Sequence, residues 1–199
     1  MTQEGGDPME LVAWIDESGS NTTIDPGTYI MAAAITELAQ VDAVRESMVG
    51  LLLPGQAKLH WRDERDSRQL QITRAVASCG VEHLIVVTTP HDSSRRPERR
   101  RRLTLEVLLP ELARLGVRRA IMESRGVADD KRDREMLDHL RQQHLIESGL
   151  HVDHIVGRQE PILWVPDAMC GIITSLRTGN ASYYDLISRQ ITLMHVPAK

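Results

Sequence analysis

The sequence contains no phenylalanine and few other aromatic residues, with three tryptophans and three tyrosines among 199 residues. Its hydrophobic core must therefore be built from Leu, Ile, Val, Met and Ala side chains. Proteins that bind single-stranded nucleic acid by stacking use aromatic rings as platforms for successive bases. The scarcity of rings argues against that class of binding protein.

Cysteines and long apolar runs are also scarce. The two cysteines, Cys79 and Cys170, lie far apart and lack the spacing of a metal site. No apolar run approaches the roughly 20 residues that cross a bilayer. Residues 1–8 lack the basic and apolar regions of a signal peptide. We therefore expect a cytoplasmic protein with reduced thiols and no membrane partner.

Basic residues are scarce in the first half of the chain. Residues 1–94 carry 6 Lys+Arg and 14 Asp+Glu, whereas residues 95–199 carry 18 and 14. The overall net charge of −4 hides this asymmetry. A polyanionic partner such as nucleic acid is therefore expected to contact the second half of the chain.

Six arginines are concentrated at the start of that second half: Arg95, Arg96, Arg99, Arg100, Arg101 and Arg102. Cations near a helix N-terminus oppose the helix dipole, so helix stability does not explain them. Phosphate binding does, because each phosphate contact releases counterions. We predict that these arginines contact nucleic acid; the alternatives are a solvated charged face and a contact with acidic groups of a partner subunit.

Hydrophobic periodicity predicts seven strands, at residues 11–16, 28–35, 58–61, 81–89, 117–122, 151–156 and 190–196. It predicts helices at residues 37–52, 65–79, 97–115, 129–146, 165–177 and 182–187. The length favours one domain over residues 1–199, with residues 1–9 as a flexible N-terminus. This order predicts an α/β fold with a mixed sheet and helices on both faces. An RNase H-like layout fits it, and a doubly wound fold would give similar signals.

The first predicted strand ends abruptly at an acid, Asp16, followed by a turn-rich segment. A buried strand that ends in this way delivers its carboxylate to the edge of a site. Desolvating a carboxylate costs several kcal/mol unless it is paired or bound to a metal. The alternative is that Asp16 caps the following turn through hydrogen bonds to the backbone.

Two further acids occupy similar positions. Glu123 ends a predicted strand, and Asp167 follows a proline at the start of a predicted helix. Carboxylates that converge repel one another unless a cation joins them, and oxygen ligands suit Mg²⁺ or Mn²⁺. A pair of such ions about 3.5–4 Å apart can promote phosphodiester cleavage. The alternatives are a pair between Glu123 and Arg125 and a stabilising interaction of Asp167 with the helix dipole.

Three short motifs in this order resemble a bacterial family that is named only as a domain of unknown function, with an N-terminal DESG signature. They are WIDESG at residues 14–19, IMESR at 121–125 with acids at 129–130, and LWVPDA at 163–168 followed by Gly171. The resemblance extends over about residues 10–195. It implies an RNase H-like fold, with Asp16, Glu123 and Asp167 as the metal ligands of a nuclease.

Supporting residues are predicted around these acids. Glu17 should point to the opposite strand face from Asp16, where it would form an ion pair or support the site. Lys58 and His60 share one face of a predicted strand, where Lys58 would contact phosphate and His60 would move a proton or contact a phosphate. Glu64 could reach the metals. The alternative is a polar strand end that leads into a helix N-cap.

The sequence thus predicts a Mg²⁺- or Mn²⁺-dependent nuclease. A second hypothesis is a module that keeps the fold and binds nucleic acid or protein without catalysis, because three acids are evident where related nucleases commonly use four. A third is a phosphohydrolase of small molecules with the same metal chemistry. DNA and RNA substrates are not distinguished by the sequence.

Overall fold

A computed structural model describes residues 9–19, 25–88, 97–146 and 149–196. The predicted flexible N-terminus lies outside these residues except for Met9, and so do Arg95 and Arg96. None of the helices in the described ranges is long and apolar enough to span a membrane.

The centre of the molecule is a mixed sheet of six strands in the order β5-β4-β1-β2-β3-β6. Strands β1, β2 and β3 form an antiparallel meander, β4 and β5 continue parallel to β1, and β6 lies parallel to β3. The antiparallel centre distinguishes this sheet from a doubly wound one, which is parallel there. The strands are β1 (Leu11–Gly19), β2 (Tyr29–Glu37), β3 (Glu82–Val87), β4 (Arg119–Glu123), β5 (His151–Ile155) and β6 (Ile191–His195).

Six α-helices occur in the described ranges: α1 (Val41–Val49), α2 (Asp66–Ser78), α3 (Pro97–Arg114), α4 (Val127–Gln142), α5 (Trp164–Arg177) and α6 (Ser182–Ile187). Helix α3 continues through Pro110, where a bend or restart is expected from the sequence. Helix α1 begins later than predicted, because Glu37 is still paired with Leu11 in the sheet. The α/β fold with helices and a mixed sheet is confirmed.

Side chains alternate across β1, so the sheet has two differently covered faces. Trp14 belongs to a core with α1, α2, α5 and α6, and we call this side the α5 face. Ala13 and Ile15 belong to a core with α3 and α4, and we call that side the α3 face. Both cores are rich in Leu, Ile, Val, Met and Ala, as the composition predicts.

The predicted strand at residues 58–61 is wrong. The segment instead leads into a 3₁₀ turn, Trp61–Asp63. The backbone amide of Trp61 donates to a carboxylate oxygen of Asp167 at 2.8 Å rather than to a neighbouring strand. The backbone partner that a strand would need is thus replaced by a side chain of α5.

Candidate metal centre

Asp16 lies on the α5 face, two residues beyond the buried Trp14. The backbone amide of Glu17 donates to Oδ1 of Asp16 at 2.7 Å. Burial raises the pKa of Asp16 well above its ordinary value, and the neighbouring charges of Glu123 and Asp167 raise it further. Asp16 is therefore an acid whose negative charge is poorly compensated in the protein alone.

Glu123 reaches the same edge of the sheet from the adjacent parallel strand. Ile15 of β1 lies opposite Met122 of β4, so Asp16 and Glu123, the next residues of these parallel strands, lie at the same level of the sheet. The ammonium Nζ of Lys58 donates to both carboxylate oxygens of Glu123, at 2.8 and 3.0 Å. Glu123 therefore pairs with Lys58 rather than with Arg125.

Gly157 makes room for the Glu123 carboxylate. A Cβ atom at position 157 would lie 2.2 Å from Oε1 of Glu123, which is closer than van der Waals contact allows. The absence of a side chain at Gly157 therefore lets Glu123 occupy this position. No feature of the sequence distinguishes Gly157 from a glycine in an ordinary turn.

Asp167 stands in the first turn of α5. Its Oδ2 accepts a hydrogen bond from the backbone amide of Trp61 at 2.8 Å, and its Oδ1 lies 3.3 Å from Nδ1 of His60. Interaction with the Asp167 carboxylate raises the pKa of His60, although burial opposes the shift. The pair therefore favours a charged imidazolium beside the carboxylate.

One open cleft of about 430 Å³ joins these groups. Its lining includes Asp16, Glu123, Asp167, Lys58 and His60. The three acids, which are more than 40 residues apart in sequence, thus meet in a cavity that is large enough to admit a ligand. Lys58 and His60 come from the segment between α1 and α2.

The donor set fits a hard divalent cation, because carboxylate oxygens are the ligands that Mg²⁺ and Mn²⁺ prefer. Burial, and then the nearby charges of Glu123 and Asp167, raise the pKa of Asp16, so a cation bound beside it would favour its ionised form. In the described ranges, however, no three His, Cys, Asp or Glu side chains are already arranged as a ligand set. Lys58 and the Trp61 amide instead hold oxygens of Glu123 and Asp167.

Glu17 lies on the α3 face, where strand alternation places it. It forms ion pairs with Arg101 and with Arg125, the latter at 3.4 Å. Arg101 Nε also donates to Asp133 Oδ1 at 3.0 Å, and His154 Nε2 lies 3.0 Å from Oδ2 of the same carboxylate. We call these five residues the Arg101 cluster. Glu17 lines the cleft next to Asp16, but its carboxylate is paired with the arginines of this cluster.

Of the arginines predicted to contact nucleic acid, the four that the structure describes do not all face solvent. The side chain of Arg101 is only 2% exposed and its charge is used by Glu17 and Asp133, so its predicted contact with phosphate is corrected. Arg100 is also buried, whereas Arg99 and Arg102 are exposed on α3. At Arg101, Glu17 and Asp133 thus take the place that was predicted for a phosphate or for acidic groups of a partner subunit.

The structure places Glu64 next to Gln56 and Arg68. Its carboxylate accepts a hydrogen bond from Gln56 at 2.7 Å and lies 3.5 Å from Nε of Arg68. Glu64 does not line the cleft. Its side chain therefore connects two neighbouring segments instead of reaching the acids.

Two residues of α5 make contacts near the site that the sequence does not predict. A Cβ atom at Gly171 would lie 2.0 Å from the indole ring of Trp61, so the absence of a side chain at this position accommodates Trp61. The thiol of Cys170 lies 3.7 Å from the backbone oxygen of Asp16. A glycine inside an otherwise apolar helix is the one signal of the Trp61 contact in the sequence.

Known proteins match this chain in structure but not in sequence. No protein-family model and no curated protein matches the sequence. The structure of Bst-RNase HIII in complex with Mn²⁺ matches with a TM-score of 0.57 and 14% identity, over 85% of this chain and 53% of that chain. A chain of the PCNA:RNase HII complex from Archaeoglobus fulgidus matches with a TM-score of 0.53 and 16% identity, over 84% and 74%.

These similarities define the fold as RNase H-like. The chain spans about half the length of the RNase HIII chain that it matches. At such low identity the likeness establishes the fold and not the activity. Membership of the uncharacterised family with the DESG signature has no support from a family model and stays a prediction.

Proposed function

We propose that this protein is a divalent-metal-dependent nuclease that hydrolyses phosphodiester bonds of nucleic acid. The observation that carries the proposal is the meeting of Asp16, Glu123 and Asp167 in one cleft. They come from β1, β4 and the first turn of α5 of an RNase H-like sheet. The structural relatives are consistent with it, since one is an RNase HIII with Mn²⁺ and the other includes an RNase HII.

In this proposal the three acids hold Mg²⁺ or Mn²⁺. The ion would supply Lewis-acid activation of water and of the phosphate. His60 is about half exposed and its imidazole faces Asp167, so it can exchange a proton with a group bound in the cleft. Lys58 supplies a positive charge within the cleft, where a phosphate would approach.

A second candidate is a binding module that has lost catalysis. The observation in its favour is that Lys58 and the Trp61 amide already satisfy carboxylate oxygens, so the acids are partly neutralised without a metal. Such a module would bind nucleic acid with a strong dependence on salt and no dependence on divalent cations.

A cleavage assay distinguishes the candidates. Labelled single-stranded and duplex DNA and RNA, and an RNA–DNA hybrid, are incubated with the protein in Mn²⁺, in Mg²⁺ and in EDTA. The proposal predicts metal-dependent cleavage of at least one polymer, loss of at least about 100-fold in rate in Asp16→Asn, and full activity in Glu135→Gln. Glu135 is an exposed carboxylate of α4 and serves as the control.

Other outcomes of the same assay would contradict the proposed nuclease activity. Salt-sensitive binding that is unchanged by EDTA, with no cleavage of any polymer, would favour the binding module. Hydrolysis of nucleotides without cleavage of polymers would favour a small-molecule phosphohydrolase. Full activity in Asp16→Asn would remove Asp16 from the mechanism.

A further inference from the structure

The oxygens of the three acids are not equally available to a metal ion. Both oxygens of Glu123 accept from Lys58, at 2.8 and 3.0 Å. Both oxygens of Asp167 face donors of the neighbouring segment, the Trp61 amide and His60. Oδ1 of Asp16 accepts from the Glu17 amide, and its carboxylate also interacts with that of Glu123. The Lys58 ammonium thus takes up both oxygens of Glu123.

Lys58 is held in this position by its chain neighbours. Leu59, the next residue, is fully buried in the core of the α5 face. Trp61, three residues after Lys58, packs against Gly171 of α5, and its backbone amide donates a hydrogen bond to Asp167. The Lys58 side chain is itself only 25% exposed. The ammonium therefore belongs to the cleft and is not a freely moving surface charge.

The charges in the cleft define how many metal ions it needs. Asp16, Glu123 and Asp167 contribute three negative charges when ionised, and the Lys58 ammonium and the His60 imidazolium contribute two positive charges. One divalent cation more than balances the negative charge that remains. A second divalent ion would have to approach a cluster that already carries a net positive charge and would lie near the Lys58 ammonium. Like charges at such distances are strongly unfavourable when partly desolvated.

We propose that the site takes one divalent cation and that the ammonium of Lys58 supplies the second positive charge in place of a second ion. This inference rests on the proposed metal site and concerns its stoichiometry. Lys58 is then a positioning residue that limits the number of bound ions and competes for Glu123. Its removal should make the acids more attractive to metal.

Calorimetric titration of Mn²⁺ into chelator-treated protein tests the inference without any substrate. Wild type should bind one ion. Lys58→Met should bind a second ion or bind the first at least ten-fold more tightly, because Glu123 loses its competing cation. Lys58→Arg, which keeps the charge, should still bind one ion. Lys131→Met, an exposed lysine paired with Glu135 on α4, is the matched control and should behave as wild type.

The outcomes separate this inference from the proposed function. Two ions in wild type, or Mn²⁺ binding that is identical in wild type and Lys58→Met, would overturn the role of Lys58 and leave the metal site intact. No binding to wild type or to Lys58→Met would contradict the metal site itself. Thermal unfolding of each variant without metal establishes that it is folded before the titration.

Discussion

Asp16 and Glu17 are neighbours in the chain, yet they belong to two different charged clusters on opposite faces of the sheet. Glu17 joins the Arg101 cluster, in which two carboxylates face two guanidinium groups and a histidine. Asp16 joins Glu123 and Asp167, and these three carboxylates face one ammonium and one imidazole. The acids are therefore matched by cations on the α3 face and outnumber them on the α5 face.

The difference separates a charge cluster that stabilises the fold from one that is available to a ligand. Removing one partner from a buried ion pair leaves an uncompensated charge, which is costly. An excess of acid in an open cleft instead perturbs pKa values, a common property of functional sites. Substitutions in the two clusters should consequently have opposite effects on stability.

Arg101→Met should have the largest effect on the stability of the fold. The substitution leaves the carboxylates of Glu17 and Asp133 without their buried cation. We expect a loss of about 3–5 kcal/mol in the free energy of unfolding, measured with urea. Arg102→Met, at an exposed neighbouring position on α3, should change it by less than about 0.5 kcal/mol. Equal effects of the two substitutions would show that the Arg101 cluster is not a stabilising one.

Gly171→Ala should have the next largest effect. The new methyl group would meet the Trp61 ring, so the segment that carries Lys58 and His60 would have to move. Overpacking of this kind costs about 1–3 kcal/mol, and Mn²⁺ binding should weaken as well. Gly50→Ala is the control, because its methyl group would make only ordinary contacts of 3.4 Å or more. A fully stable Gly171→Ala with unchanged Mn²⁺ binding would contradict the predicted role of Trp61.

The pH dependence of stability should show the contribution of the Asp133 carboxylate, which belongs to the Arg101 cluster. Burial opposes ionisation of Asp133, but hydrogen bonds from His154 and Arg101 outweigh it and hold its pKa below the ordinary value of 3.8. Asp133 therefore stabilises the fold above the unfolded-state pKa, and this stabilisation is lost as the pH falls through the folded-state pKa.

Asp133→Asn tests whether the stabilisation by Asp133 is lost on acidification. The difference in unfolding free energy between wild type and Asp133→Asn should shrink as the pH is lowered below about 4, by at most about 1.4 kcal/mol per pH unit. Urea unfolding at a series of acidic pH values measures the difference. A difference that is constant or grows on acidification would show that the carboxylate is not stabilised by its partners.

Asp16→Asn should have the smallest effect on the free energy of unfolding, and this substitution should stabilise the protein. Its repulsion with Glu123 and Asp167 is removed, so the metal-free protein should become more stable by roughly 1 kcal/mol. Glu17→Gln, one residue further, should instead destabilise it by weakening the contact with Arg101. Chemical unfolding in EDTA measures both variants. A decrease in stability for Asp16→Asn would mean that the three acids do not repel one another.

The sheet and the placement of the acids follow from local patterns in the sequence. Alternation along β1 separates Asp16 from Glu17, and β4 ends at Glu123 as the sequence predicts. The predicted strand end at Asp16 is wrong, because β1 stays paired with β2 as far as Gly19. Such patterns depend on the chain near each residue. They therefore predict the elements.

The contacts that complete the site depend on residues distant in sequence. Nothing near Arg101 indicates that it is buried against Asp133, whereas Arg102 beside it is exposed. The 3₁₀ turn at Trp61 depends on Asp167, 106 residues later. Lys58 appears in the sequence as a candidate phosphate contact, and only the fold shows that it pairs with Glu123.

The most direct test of the metal site is Mn²⁺ binding by four variants, measured by calorimetry. If Asp16, Glu123 and Asp167 form one site, Asp16→Asn, Glu123→Gln and Asp167→Asn should each weaken Mn²⁺ binding by at least ten-fold. Glu17→Gln should bind nearly as wild type does, because Glu17 lies on the other face. No Mn²⁺ binding to wild type, or equal weakening by all four substitutions, would contradict the site.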